Sequence, residues 1–252
     1  PAAELRFLSK ESAHWACEVL AGYGFRPYVI NRSSPTPLIM FTVKRRNMPY
    51  GMAVTASHNP AIYNGIKVFT EGGRDADAEV TRRIEAEIEK LSPADVKSVD
   101  YDTALAEGKI VEDYPMNEYL DSILSAVNVE AIKKASLRIG FDPMYGVSWS
   151  SLSMLLTTCR CDLEVIHDRH DTLFGGKLPA PNVDTLKPLA ALVLDRHCDL
   201  GIATDGDADR LGVIRTAAED QGKNGRRKEQ RYTFFHFHLH HPFPYYTIPR
   251  RK

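Results

Sequence analysis

Gly51-Met52-Ala53-Val54-Thr55-Ala56-Ser57-His58-Asn59-Pro60 is the stretch from which the rest of the chain can be arranged. Its first four residues are a short apolar run and predict a buried strand. A serine, a histidine and an asparagine then arrive together where the chain turns. Asn-Pro is a turn signal, and the residue before a proline is pushed out of the helical region. In α/β folds such strand ends carry the functional loops. On its own the cluster reads as a polar turn, so a site at Ser57 requires a partner elsewhere in the chain.

Outward from this stretch the pattern alternates. Ser9 to Gly24 predicts a helix with Ser9 or Ser12 as cap, Trp15, Val19 and Leu20 as its apolar stripe, and glycines to stop it. Tyr28–Ile30 predicts a strand, and Ser34-Pro35-Thr36-Pro37 opens a helix to about Arg46. Gly65–Phe69 predicts a strand, and Asp77–Leu91 a helix with Val80, Ile84 and Ile88 on one face. Residues 92–114 are polar and irregular, and Pro115 to about Ala135 reads as one or two helices. The rhythm then restarts with strands at 137–141 and 163–166, helices at 147–158 and 183–196, and strands at 200–203 and 211–214. The helix at 183–196 has Leu186, Leu189, Leu192 and Val193 as its apolar face. The fold class expected is α/β: two consecutive layered domains with mixed sheets flanked by helices, spanning 1–133 and 134–214.

Composition sets the outer limits. The 252 residues are 43% hydrophobic and 26% charged, as in an ordinary globular protein. No apolar run reaches the roughly 18 residues of a membrane span. The start has no apolar core behind a basic segment, so no signal peptide is expected. Cys17, Cys159, Cys161 and Cys198 are scattered, and Cys159-Arg160-Cys161 is not the paired C-x-x-C of a zinc site. Reduced thiols in a cytoplasmic protein are expected. Residues 215–252 hold nine Lys/Arg and three Asp/Glu, whereas residues 1–214 hold 23 and 30. The body is therefore acidic, which argues against a nucleic-acid binder.

The partner for Ser57 stands between the last two strands, in Thr204-Asp205-Gly206-Asp207-Ala208-Asp209-Arg210. Three aspartates on alternate positions repel one another unless something positive sits among them. A hard divalent cation, most naturally Mg²⁺, meets that need with oxygen ligands. Arg210 adds a fixed charge that can fork onto a phosphate or carboxylate. A solvated acidic turn is the plain alternative. A calcium loop of the EF-hand type is excluded, because its glycine and glutamate positions fall on Arg210 and Thr216.

Thr55–Pro60 together with Asp205–Arg210 resemble the two best-known motifs of the α-D-phosphohexomutases, the phosphoglucomutase/phosphomannomutase superfamily. Tyr63-Asn64-Gly65-Ile66-Lys67, Ser34-Pro35-Thr36-Pro37, and Phe174-Gly175-Gly176 with Pro179 and Pro181 add to the resemblance. It implies a phosphotransferase that interconverts hexose 1-phosphate and hexose 6-phosphate through a bisphosphorylated sugar, glucose first and mannose second. It implies Ser57 as a phosphoserine and Mg²⁺ held by Asp205, Asp207, Asp209 and a phosphate oxygen on Ser57. Lys67 and Arg210 are then the cationic neighbours of the group in transfer, and His58 shapes the serine loop. The expected partner is a sugar phosphate, with no nucleic acid and no membrane. A non-catalytic piece that keeps a metal or phosphate site, and a phosphatase with Asp205 as nucleophile, are the alternatives.

The resemblance covers about residues 5–214. The resemblance does not extend to the family's opening strands, its sugar-recognition domain or its phosphate-binding fourth domain, so these are expected to be missing from the chain as read. Little or no mutase turnover is expected from this chain alone, since remote binding energy contributes to catalysis. The tail from Arg215 reads as a frameshifted or misassembled end, expected to be disordered. Its alternating His236, His238 and His240 would share one face of a strand and could take Zn²⁺ or Ni²⁺. His14, His167, His170 and His197 are expected on the surface or in loops, without a role.

Overall fold

The computed structural model describes residues 1–216 with side chains up to Arg215, and the backbone of 232–238. Two compact units emerge. The first comprises Pro1–Ala56, Pro60–Ile123 and Asp171–Leu173, and the second Ser57–Asn59, Leu124–His170 and the chain from Phe174 onward. The layered α/β class with mixed sheets is borne out in both.

The first unit runs β1 (Ala2–Ala3), α1 (Ser9–Gly22), β2 (Tyr28–Ile30), α2 (Thr36–Arg45), β3 (Tyr50–Val54), β4 (Ile66–Thr70), β5 (Arg74–Asp75), α3 (Ala78–Ile88), α4 (Tyr101–Ala106) and β6 (Val111–Asp113). Helix α5 (Met116–Ala126) follows. Strands β1, β3, β4 and β5 form one sheet in that order, and β2 pairs with β6. β1 runs parallel to β3, while β3, β4 and β5 run antiparallel. Helix α3 starts where Asp77 accepts hydrogen bonds from the N–H groups of Glu79 and Val80, a side-chain cap. Residues 92–114 are more ordered than their polarity suggests. Asp100 caps α4, and Ala104 and Ile110 are buried with Cys17, Ala21 and Val29.

Two helix faces differ from the sequence expectation. In α1 the buried stripe is Ser9, Ala13, Cys17 and Ala21, and Trp15 stands 53% exposed. Small residues win that face because β1 and β3 approach closely, with Ala3, Ala13 and Val54 in one cluster. In α3 no residue is buried. Val80, Ile84 and Ile88 instead line an open, largely apolar groove of about 1220 Å³, shared with Met48, Tyr50 and Val68.

The second unit runs α6 (Val129–Ala135), β7 (Arg138–Asp142), α7 (Ser148–Thr158), β8 (Asp162–Val165), α8 (Lys187–Asp195), β9 (Leu200–Thr204), β10 (Arg210–Thr216) and β11 (Tyr232–His238). The sheet order is β11-β10-β9-β7-β8. β7 is parallel to β8 and β9, and β10 is antiparallel to β9 and β11. Helix α8 begins later than expected because Asn182 accepts from the N–H groups of Asp184 and Thr185 and holds a turn there. Its buried face, Leu189, Ala190 and Val193, packs with Leu186, Met144, Cys198, Ala203 and Ile214. Glycines let that helix approach the sheet: a Cβ on Gly201 would lie 2.8 Å from Val193 Cγ2.

Within the tail expected to be disordered, Tyr232–His238 pairs antiparallel with all of β10. Tyr, Thr and Phe favour extended backbone, and β10 offers an edge to pair with. Residues 217–231 and 239–252, with His240, lie outside the described residues. No helix among the described residues is long and apolar enough to cross a membrane.

Phe69 on β4 is fully buried. Phe69→Ala is expected to lower stability by about 3–5 kcal/mol, read as a lower urea midpoint at constant m-value. A loss below about 1 kcal/mol would show that this sheet face is not packed as described.

Candidate active site

Strand β3 delivers Thr55 and Ala56 to the sheet end, and the chain turns through Ser57, His58 and Asn59. Thr55 N–H donates to Gly65 O at 2.9 Å, closing the loop where β4 begins. Ser57 takes φ of +51°, a left-handed conformation uncommon for a residue with a side chain. The residues on either side of the tip are fastened to the start of the chain. Ala56 N–H donates to Glu4 Oε1 at 3.3 Å. Arg6 Nη1 donates to the carbonyls of Pro60 at 2.9 Å and Tyr63 at 3.1 Å. Asn64 Nδ2 donates to Phe7 O and Ser9 Oγ.

The aspartate loop leaves β9 at Thr204, whose Oγ1 lies 2.6 Å from Ser148 Oγ at the start of α7. Asp205, Asp207 and Asp209 are all buried, at 0%, 1% and 4% exposure. Ligand atoms of these three carboxylates lie within 4.8 Å of one another, the grouping among the described residues that could hold a metal ion. Asp205 Oδ1 accepts from the N–H groups of Asp209 at 3.1 Å and Arg210 at 2.9 Å, and Oδ2 accepts from Arg210 Nε at 2.8 Å. The loop has no room to spare. A Cβ on Gly206 would stand 3.0 Å from Ser57 O, and one on Gly146 would stand 2.7 Å from Gly206 O.

Ser57 meets this loop. Its Oγ donates to Asp205 Oδ2 at 3.3 Å and accepts from Arg210 Nη2 at 3.4 Å. His58 is exposed, with Nδ1 3.5 Å from Ser57 Oγ. Of the residues expected from the sequence, Ser57, His58, Asp205, Asp207, Asp209 and Arg210 are therefore grouped in one unit. Lys67 lies in the other, half-buried on β4 and in register with Ala53.

Burial and, after it, the charges of Asp207 and Asp209 push the Asp205 pKa well above the usual carboxylate range; Arg210 pulls the other way. Arg210 lies among the three buried carboxylates, with Nε 2.8 Å from Asp205 Oδ2 and 3.8 Å from Asp209 Oδ1. Their all-oxygen donor set suits a hard divalent cation, whose charge would reverse that upward push.

Some contributors were not singled out by sequence. Glu4, Arg6, Ser148 and Gly146 carry weak local signals; an acid and an arginine two apart, leaving a strand, was the clearest. His167 lies in the loop after β8, half-buried, and its Nδ1 lies 3.0 Å from Asp142 Oδ2. His14 stacks on Tyr101 with ring centroids 4.0 Å apart.

Comparison with known proteins matches residues 4–95 to Phosphoglucomutase/phosphomannomutase, alpha/beta/alpha domain I, and residues 117–218 to domain II of the same family. The phosphoglucosamine/phosphogalactosamine mutase of Sulfurisphaera tokodaii is 37% identical over 72% of this chain and 39% of its own length. The phosphoglucomutase of Staphylococcus saprophyticus is 30% identical over 84% of this chain and 39% of its own. A crystal structure of a candidate phosphomannomutase from Thermus thermophilus superposes with a TM-score of 0.75 and 26% identity, covering 85% of this chain and 47% of that one. The chain thus spans about two fifths of the length of these curated relatives.

Asp207→Asn removes one of the mutually repelling charges. The metal-free chain is expected to gain stability, read as a higher thermal midpoint, because one of the charges that push the Asp205 pKa upward is gone. Its thermal midpoint should also respond less to added Mg²⁺ than that of the unsubstituted chain. A variant that loses stability without metal and keeps the full Mg²⁺ response would contradict the site as built.

Proposed function

Because the chain belongs to the phosphoglucomutase/phosphomannomutase family, we propose that it carries the phosphoryl-transfer part of a phosphohexomutase site, with Ser57 as the carrier. The observation that supports this most is the approach of Ser57 Oγ to both Asp205 and Arg210, in a loop of three buried carboxylates. Asp205, Asp207 and Asp209 would hold Mg²⁺, which neutralises charge on a phosphoryl group in transfer.

The chain's own residues supply positioning and charge. Phosphoryl transfer passes through a loose transition state that needs these more than covalent chemistry. In the forward half, the bond between phosphorus and Ser57 Oγ breaks as a bond forms to a hydroxyl oxygen of the sugar phosphate. That hydroxyl gives up its proton, and Ser57 Oγ, the oxygen left when its bond to phosphorus breaks, takes one up, so the serine returns to its hydroxyl form. The bisphosphorylated sugar then turns and returns its other phosphoryl group to Ser57. Arg210 donates to Ser57 Oγ and is placed to stabilise negative charge on the group in transfer. Lys67 is the titratable cation assigned to assist that proton. His58 flanks the serine oxygen and shapes the turn.

The substrate class is a hexose phosphate. Glucose phosphate is the first to test and mannose phosphate the second. Relatives named for glucose, mannose and glucosamine phosphates match at similar identity, so amino-hexose phosphates belong in the same trial. Turnover of a sugar phosphate is proposed for the longer architecture of the relatives, and phosphoryl loading of Ser57 for this chain.

Incubation with glucose 1,6-bisphosphate and Mg²⁺ is expected to add one phosphoryl group, located on Ser57 by peptide mass mapping. Ser57→Ala should abolish it, and Asp209→Asn should slow it by about a hundredfold or more. Label on Asp205, or label that persists in Ser57→Ala, would replace this reading with an aspartate phosphatase.

A further inference from the structure

The Glu4–Arg6 ion pair is almost completely buried, at 1% and 0% side-chain exposure. Burying two charges is costly, and such a pair is weak evidence for stability by itself. What distinguishes this one is where its remaining hydrogen bonds go. Arg6 Nε donates to Glu4 Oε1. The same Oε1 accepts from Ala56 N–H, one residue before Ser57. The other arm of the guanidinium, Nη1, reaches the carbonyls of Pro60 and Tyr63, just beyond Asn59. The pair therefore grips both stems of the serine loop and leaves Ser57, His58 and Asn59 as its tip.

The pair is itself anchored. Glu4 N–H donates to Val54 O at 3.2 Å, extending the pairing of β1 with β3. Ser9 N–H donates to Arg6 O at 3.2 Å at the start of α1. Asn64 then closes the far stem onto Phe7 and Ser9. A loop held on both stems by groups fixed to a strand and a helix can sustain the left-handed backbone of Ser57.

We propose that Glu4 and Arg6 are positioning residues that hold the phosphoryl-carrying serine in its transfer geometry. This rests on the assignment of Ser57 as carrier. Neither side chain need touch substrate; both act through the backbone of residues 56–63. Arg6→Lys keeps the charge but loses the planar fork that serves Glu4 and two carbonyls at once. Glu4→Gln keeps an oxygen for Ala56 N–H but loses the charge.

Two readouts test this in the 252-residue chain. The first is amide hydrogen exchange. In the unsubstituted chain, Ala56 N–H is expected to be protected beyond what an open loop allows. In Arg6→Lys, exchange of residues 56–64 should rise about tenfold or more, while β7 and α8 stay unchanged. The second is loading of Ser57 from glucose 1,6-bisphosphate. The maximal rate should fall by about a hundredfold in Arg6→Lys, with the half-saturating concentration little changed and Glu4→Gln intermediate. If Arg6→Lys does not fold, Glu4→Gln and the protection of Ala56 in the unsubstituted chain carry the test. An unprotected Ala56 amide, or a folded Arg6→Lys with unsubstituted loop exchange and loading, overturns the proposal. If the unsubstituted chain fails to load at Ser57, the carrier assignment falls, and the exchange measurement still decides whether the clamp exists.

Discussion

Three carboxylates buried within one short loop are the constraint on which the site depends. Asp205, Asp207 and Asp209 are each less than 5% exposed, and Arg210 is the cation bonded among them. Water cannot screen them, so their repulsion is answered by backbone N–H groups and a guanidinium, and their ligand atoms lie close enough together to hold a divalent ion. The loop's other features follow from that demand. Gly206 and Gly146 remove side chains where backbones meet, and Thr204 is tied to Ser148 at the exit from β9. Ser57 Oγ enters this field beside both Asp205 and Arg210.

The same constraint explains why the serine loop is held so firmly. Ser57 Oγ meets both Asp205 and Arg210 only while the backbone at the loop tip keeps its conformation. The Glu4–Arg6 pair fixes it on one side of the tip through Ala56 and on the other through Pro60 and Tyr63. Ser57–Asn59 groups with the aspartate loop, while both stems belong with β3 and β4. The sequence distance between Ser57 and Asp205 is spanned by two layered units whose strands end in functional loops.

Much of this was legible in the sequence. Alternating short apolar runs and amphipathic segments predicted nearly every long element, because strand and helix periodicity is local. The two motifs were legible because carboxylate crowding and an Asn-Pro turn are chemically unusual. Other features were not. The buried face of α1 depends on how closely β1 and β3 approach, so Ala13 and Cys17 displaced Trp15. The α3 stripe looked like core but lines a groove, since a helix pattern does not say whether anything covers it. Glu4 and Arg6 carry no strong pattern of their own in the sequence. Only the fold brings Ala56, Pro60 and Tyr63 onto them. Order in Tyr232–His238 comes from pairing with β10, a long-range contact that composition does not encode.

The central claim is that one serine oxygen carries a phosphoryl group beside a cation held by three aspartates. Phosphorus NMR of the loaded chain tests it directly, with Mn²⁺ added as a paramagnetic stand-in for Mg²⁺. One protein-bound phosphomonoester resonance is expected, missing in Ser57→Ala, strongly broadened by Mn²⁺ at low occupancy, and much less broadened in Asp207→Asn. A resonance that survives Ser57→Ala, or one that Mn²⁺ leaves sharp in the unsubstituted chain, would contradict the account.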